Sequence, residues 1–160
     1  RGGTYAVESW TLAEGFTVRG EGTTLELSTP ECWSNIDLGE GTLLDMSDPE
    51  PTWLATTNLT AAAGATIRVS VGPDDCDLID VRGGALSLEG TVPCEVVVMP
   101  GTRPGIYPFF VVDARAARRL SSLAVNLQAP SWMKATAQRT SDGTILYVDV
   151  PRPGTVLLIR

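Results

Sequence analysis

The chain has 160 residues and a formal net charge of −7, from 12 basic and 19 acidic side chains. This length suits one domain with its own core, and the acidic balance argues against nucleic acid as a partner because phosphate binding needs a basic face. Histidine is absent, which excludes a His-dependent catalytic triad and removes the commonest metal ligand.

The first predicted elements are short strands in which apolar and polar residues alternate before a glycine. They lie at residues 16–18, 36–38 and 79–81. Helix signals are scarce because 16 glycines and 11 prolines are spread along the chain, so the sequence predicts an all-β fold.

Four glycine-led segments recur along the chain, three of them after one of these strands, and each reads glycine, two variable residues, then two apolar positions separated by one polar residue. The segments begin at Gly22, Gly41, Gly64 and Gly83 and recur about every 20 residues. Their apolar positions are expected to face the interior: Leu25, Leu27, Leu44, Met46, Ile67, Val69, Leu86 and Leu88.

Two short strands in each 20-residue unit predict a right-handed parallel β-helix, a solenoid roughly 35 to 40 Å long. The alternative is an antiparallel β-sandwich, which also has short strands and regular turns. A sandwich has no reason to repeat one motif in one frame, so the solenoid is favoured.

The solenoid is expected to fill residues 11–112 of a single domain spanning 1–160, with an irregular cap over 113–160. The cap should carry a short helix at 113–120, where alanine and arginine favour helix, and a final strand pair. The strongest apolar runs, 96–99 and 156–159, are strand-sized, so no membrane-spanning segment is expected. Because the chain opens without Met, we expect a piece of a larger protein whose remainder stacks on the N-terminal coil.

The three cysteines lack the C-x-x-C spacing of zinc sites. Cys76 lies 12 residues after Gly64 and Cys94 lies 11 residues after Gly83, which would place both at one corner of consecutive coils, about 4.8 Å apart. The spacing predicts a Cys76–Cys94 disulfide with Cys32 free; the alternative is three reduced thiols.

The four tryptophans, Trp10, Trp33, Trp53 and Trp132, would form a sugar-stacking platform if they were exposed. Counting from Gly22 and Gly41 places Trp33 and Trp53 near one corner of adjacent coils, a possible ligand corner. Packing of the indoles in the core or at the corner is the favoured interpretation.

Two acidic sets are candidate sites. Calcium binding by Asp74, Asp75, Asp77 and Asp80 lacks a recognised loop spacing, and a solvated turn is favoured. Acid/base pairs among Asp37, Asp45, Asp77 and Asp80 would suit glycoside hydrolysis, but Asp37 and Asp80 occupy outward positions. The basic cluster Arg115, Arg118 and Arg119 is interpreted as solvated surface. No catalytic residue, metal or cofactor is predicted.

Several short sequence segments resemble the parallel β-helix passengers and passenger-associated strand repeats of bacterial autotransporters and related surface proteins. They lie at residues 58–67, at 77–81 with Gly90, at 105–111, at Trp132 and at 142–148. The resemblance spans about residues 11 to 150 and contains no catalytic motif.

The resemblance implies a non-enzymatic structural or adhesive segment of an exported bacterial protein, secreted or at the cell surface with Gram-negative-type export. Contact with a glycan or a host surface is the implied role. The alternatives are a carbohydrate-binding module at the Trp33/Trp53 corner and a carboxylate-dependent polysaccharide lyase or hydrolase.

Overall fold

A computed structural model describes residues 4–7, 17–27, 30–48 and 50–152. Within these ranges the strands are β1 Thr4–Val7, β2 Thr17–Gly20, β3 Thr24–Leu27, β4 Glu31–Leu38, β5 Leu43–Asp45, β6 Trp53–Ala61, β7 Thr66–Val71, β8 Leu78–Val81, β9 Leu86–Leu88, β10 Val92–Val98, β11 Gly105–Val112, β12 Leu123–Gln128, β13 Thr136–Arg139 and β14 Ile145–Val150. A 3₁₀ helix at Ala117–Ser122 separates β11 from β12.

The strands form two sheets. Sheet A has the order β1-β3-β5-β7-β10-β12, and sheet B has the order β13-β14-β11-β8-β6-β4-β2 with β9 beside β6. From β1 to β8 the chain alternates between the two sheets. Within each sheet, these strands pair in parallel with the strands beside them. The all-β prediction is confirmed, and the glycine-led segments do not pair antiparallel as the sandwich alternative requires.

The core is built from inward-facing residues that occupy the same register on successive strands. In sheet A, Leu25 pairs with Leu44, Leu44 with Ile67, and Ile67 with Cys94. The eight predicted interior positions are all buried; Leu88, at 7 % exposed, is the most accessible of them. Since a register slip of one residue would turn every such side chain outward, this apolar ladder fixes the pairing.

Glycines form the corners between the sheets. Gly22, Gly41 and Gly64 have positive φ angles of 57°, 70° and 87°, a region that costs other L-residues about 1 to 2 kcal/mol. The Gly22 amide donates to the Glu40 carbonyl at 3.0 Å, and the Gly41 amide donates to the Gly64 carbonyl at 3.2 Å. The corners therefore stack by backbone hydrogen bonds at positions where a side chain would strain the turn.

The fourth glycine-led segment departs from the predicted register. Its strand β9 lies in sheet B, where Leu86 pairs with Leu59, and β10 takes the next position in sheet A beside β7. Strand β8 pairs with the first part of β6 and β9 with the last part, so residues 82–85 form a bulge between them. The burial of Leu86 was predicted correctly, but the prediction that its strand stacks on the three earlier glycine-led strands was wrong.

Asn58 holds this bulge in place. Its amide nitrogen donates to the Asn35 Oδ1 atom at 2.7 Å, while its Oδ1 atom accepts the Ala85 backbone N–H at 2.8 Å. A Cβ on Gly84 would lie 2.4 Å from the same Asn58 oxygen, so the close approach requires glycine. The Asn58 amide, which begins an Asn-Leu-Thr triplet, is thus engaged within the fold.

On the outer face of sheet A, Arg68 lies between two carboxylates. Its guanidinium bonds Asp45 at 3.0 Å and Glu95 at 2.8 Å, and both residues are its direct partners in register. The two carboxylates raise the pKa of Arg68, the hydrogen bond to Glu95 contributing most. Three strands are thereby joined by one side chain.

Replacing Arg68 with glutamine is expected to lower the free energy of unfolding by about 1 kcal/mol, since two carboxylates lose their shared cation. The loss should shrink in 1 M salt, which screens these partly exposed charges. Urea unfolding measures this loss, with Arg82→Gln as the control because the Arg82 side chain is more exposed than that of Arg68 and has one carboxylate partner among the described residues, Asp80 near the end of β8. Equal losses for the two variants would contradict the assignment.

The C-terminal part combines a parallel and an antiparallel element. Strand β12 extends sheet A in parallel beyond β10, so this sheet continues past residue 112, where the coils were expected to end. The predicted short helix is present as the 3₁₀ helix Ala117–Ser122. The expected final strand pair is the antiparallel hairpin β13–β14, which attaches to β11 through β14.

Candidate functional site

The predicted Trp33/Trp53 ligand corner is not formed. Trp33 is 2 % exposed and donates from its indole nitrogen to the Glu31 carboxylate at 3.2 Å, whereas Trp53 is 45 % exposed. The register pairs Trp33 with Thr56 and Trp53 with Leu78. The two indoles therefore differ by three positions, about 10 Å, along the strand direction. Trp10 lies outside the described residues.

The predicted Cys76–Cys94 disulfide is also absent, because all three cysteines are free thiols. Cys94 pairs with Ile67 on β7, whereas Cys76 bridges to Val71 at the other end of that strand. These positions are about 13 Å apart along the strand, beyond the roughly 7 Å that a disulfide spans between Cα atoms. The glycine count behind the prediction missed this difference in register.

The two buried thiols have suppressed reactivity. Burial, reinforced by neighbouring carboxylates, raises the pKa of Cys76 and of Cys94 to about 12, and the Cys76 thiol donates to the Pro108 carbonyl at 3.0 Å. Since the thiolate is the reactive species, both should resist alkylation in the native state.

Native alkylation with iodoacetamide at pH 8 is therefore expected to label Cys32, the exposed thiol, at least tenfold faster than Cys76 or Cys94. Denaturation in urea should make all three equally reactive, which serves as the control. Peptide mapping measures the labelling. A Cys76–Cys94 crosslinked peptide recovered without reductant would contradict the placement of these two cysteines at opposite ends of β7.

Of the four carboxylates considered as acid/base pairs, Asp37 and Asp80 lie far apart, whereas Asp45 is close enough to Asp77 to contribute to the raised pKa of Asp77. Asp37 bonds Arg19 at 2.9 Å, Asp45 bonds Arg68, and Asp80 bonds Arg82. Through β6, Asp37 is level with Thr60 and Asp80 with Ala55, which separates them by about 17 Å along the strands. Glycoside hydrolysis uses carboxyl groups at most about 10 Å apart.

Asp77 lies inside the molecule rather than in a solvated turn. It is fully buried, and its two carboxylate oxygens accept the backbone N–H groups of Thr52 at 2.9 Å and Ser70 at 2.6 Å and the Ser70 hydroxyl at 2.9 Å. Burial raises the pKa of Asp77 to about 6, against the opposing effect of these hydrogen bonds. The side chain ties the segment before β6 to β7.

The remaining members of the acidic stretch point elsewhere. Asp74 forms an ion pair with Arg103 at 2.5 Å, and the Asp75 side chain accepts the Cys76 amide at 2.9 Å. In the part of the chain that the structure describes, no group of three or more Cys, Asp or Glu side chains is placed to hold a metal ion.

A groove of about 370 Å³ lies beside the segment that leads into β13. Trp132, 69 % exposed, stands in a turn closed by the Met133 amide donating to the Pro130 carbonyl at 2.8 Å. The described residues that line the groove include Trp132, Met133, Pro104, Val150, Lys134 and Arg152. This arrangement can hold a ring-shaped ligand against the indole, with two cations within the same groove.

No protein-family model, no curated protein and no solved structure matches this chain. No helix in the described ranges is long and apolar enough to cross a membrane.

Sequence reasoning singled out Trp132 as one of four tryptophans but missed its partners. Lys134 is two residues away, yet Pro104, Val150 and Arg152 reach the groove only because β14 returns antiparallel beside β11. The available signal was the chain's single lysine close to a tryptophan, too weak a pattern to define a site.

Proposed function

We propose that this chain is a non-enzymatic structural or adhesive segment of an exported bacterial protein, secreted or at the cell surface, and that its strands form coils of a right-handed parallel β-helix. The supporting observation is the ladder of paired residues Leu25, Leu44, Ile67, Cys94 and Val125 across five strands of sheet A. Right-handed crossovers are the rule for parallel strands joined within one sheet.

A rod of this kind displays an outer surface on a rigid support. The inward residues of β5, β7 and β10 are almost fully buried, while their outward residues include Asp45, Arg68 and Glu95. Each coil contributes the same two faces, so the parent protein gains length without a new core for each segment. Display and spacing are the activities that such a body supports.

The parent protein is proposed to stack on the N-terminal end. Among the described residues, β1 ends sheet A and β2 ends sheet B at this end, and an edge strand offers backbone groups to a further strand. A preceding coil, or a second copy, would continue both sheets. Light scattering measures the oligomeric state, and hydrogen exchange measures the protection of the first coil. A monomer whose first coil is protected from exchange would count against stacking.

Three experiments test the proposal. A crystal structure of the chain decides the coil and its hand; separate sheets joined by left-handed or non-coiling connections would overturn the β-helix. Antibodies against the chain, applied to intact cells that express the full-length gene product, should label the cell surface or the medium. Labelling only after lysis would overturn the exported setting, and sugar release from polysaccharides would overturn the non-enzymatic role.

Carbohydrate binding is the second candidate, and the exposure of Trp132 beside a groove favours it. Tryptophan is highly buried on average, so an indole this exposed leaves a flat apolar face free to stack on a sugar ring. A glycan array is the test: binding of any glycan supports this candidate, and an array without signal overturns it.

A further inference from the structure

We propose that the groove at Trp132 binds an acidic polysaccharide whose sugar rings carry carboxylates. The inference rests on the carbohydrate-binding candidate and deepens it, since it names the site, the chemical class of the ligand and the contribution of each side chain.

The indole of Trp132 is presented to solvent from an anchored segment. Trp132 is 69 % exposed, although its neighbours are anchored: Met133 packs against the core, and Val150 is 4 % exposed and pairs with Gly105. The indole is therefore a flat apolar surface on a rigid base. The C–H face of a pyranose ring stacks on such a surface, and a preformed site avoids the entropy cost of ordering.

The groove carries a local positive charge. Lys134 and Arg152 line the groove, and no carboxylate is among its described lining residues. The chain as a whole carries −7, so a groove with two cations and no acid differs from the average surface. Salt screens charges beyond about 8 Å at physiological ionic strength, and the local cations therefore dominate the interaction with a bound anion.

The indole and the two cations match the chemical groups of a uronate. Arginine binds a carboxylate through two parallel N–H donors and lysine through a point charge, while the indole contacts the ring that bears the carboxylate. The groove volume of about 370 Å³ falls within the range of roughly 300 to 1,000 Å³ typical of small-molecule sites. One or two sugar units of a longer polymer therefore fill it.

The test uses the full chain and hexagalacturonate as the probe, with maltohexaose as the neutral counterpart, in isothermal titration calorimetry. Hexagalacturonate should bind, and raising NaCl from 50 to 500 mM should weaken the binding at least fivefold. Trp132→Ala should raise the Kd at least tenfold, and the double variant Lys134→Gln/Arg152→Gln at least fivefold with loss of the salt dependence. All these side chains lie at the surface of the groove, so the variants should retain the melting temperature of the wild type.

Two matched controls separate this groove from the rest of the surface. Trp53→Ala removes another accessible indole, and Arg118→Gln/Arg119→Gln removes two cations elsewhere; each should change the Kd less than twofold. Equal losses in the controls, or equal binding of maltohexaose, would overturn the proposal.

The outcomes also separate this inference from the carbohydrate-binding candidate. A glycan that binds on the array with an affinity unchanged by Trp132→Ala would overturn the groove and leave carbohydrate binding standing. An array with no signal and no heat with hexagalacturonate would overturn both.

Discussion

Replacing Phe110 with alanine is expected to lower the free energy of unfolding by about 3 to 5 kcal/mol, the range found for buried phenylalanines. Phe110 is completely buried on β11, where it pairs with Ile79 of the parallel neighbour β8 and with Leu146 of the antiparallel neighbour β14. Loss of the ring leaves a cavity where the parallel part of sheet B meets the hairpin.

Urea unfolding followed by circular dichroism measures this change. Ile106→Ala is the matched control, because Ile106 lies on the same strand and is 68 % exposed; its effect should stay below about 0.5 kcal/mol. Equal effects of the two substitutions would show that β11 does not have separate inward and outward faces.

The second large effect is a pH dependence that originates at Asp77. The pKa of this buried carboxyl is raised from 3.8 to about 6, so the folded state holds the proton more tightly than the unfolded chain. The contribution of Asp77 to stability is therefore fully present below pH 4 and is lost as the pH rises through 6. A shift of this size corresponds to roughly 2 to 3 kcal/mol.

Unfolding free energies of the wild type and of Asp77→Asn, measured from pH 4 to pH 7, test this expectation. Asparagine cannot titrate, so the difference between the two proteins should change by about 2 to 3 kcal/mol across the interval, in the direction that favours the variant at higher pH. Ser121→Ala, which removes a surface hydrogen bond to the Arg118 backbone carbonyl and touches no carboxylate, should give a profile parallel to that of the wild type. A profile of Asp77→Asn parallel to that of the wild type would show that Asp77 does not titrate in this range.

The parts of the fold that were predicted from the sequence depend on local patterns. The glycines at 22, 41 and 64 each need a positive φ angle, and the residues after them alternate between core and solvent, so both features are encoded in a few adjacent residues. The same pattern at Gly83 specifies a glycine turn and a strand but not the sheet that the strand joins. That choice depends on the bulge at 82–85 and on Asn58, which is distant in sequence.

The predicted sites failed for a related reason. Counting residues from a glycine assumes coils of equal length, yet the connections vary, as between β5 and β6 or between β9 and β10. Such counts predicted that Trp33 lies beside Trp53 and that Cys76 lies beside Cys94. In the structure, the members of each pair occupy different register positions along the strand direction. The groove at Trp132 depends on chain reversal at the hairpin, which no periodic pattern records.

The C-terminal hairpin has a consequence for self-assembly into fibres. Parallel strands stacked in register offer each new chain a matching template, which is the route to unlimited end-to-end growth. Among the described residues, sheet A ends here in the parallel strand β12 and sheet B ends in the antiparallel pair β14 and β13, and all four residues of β13 are exposed. Two successive antiparallel pairings give β13 the same direction as β11, so strand direction does not exclude an incoming coil. Strand β13 instead offers no buried apolar residue on which the core ladder could continue, and this disfavours growth at this end.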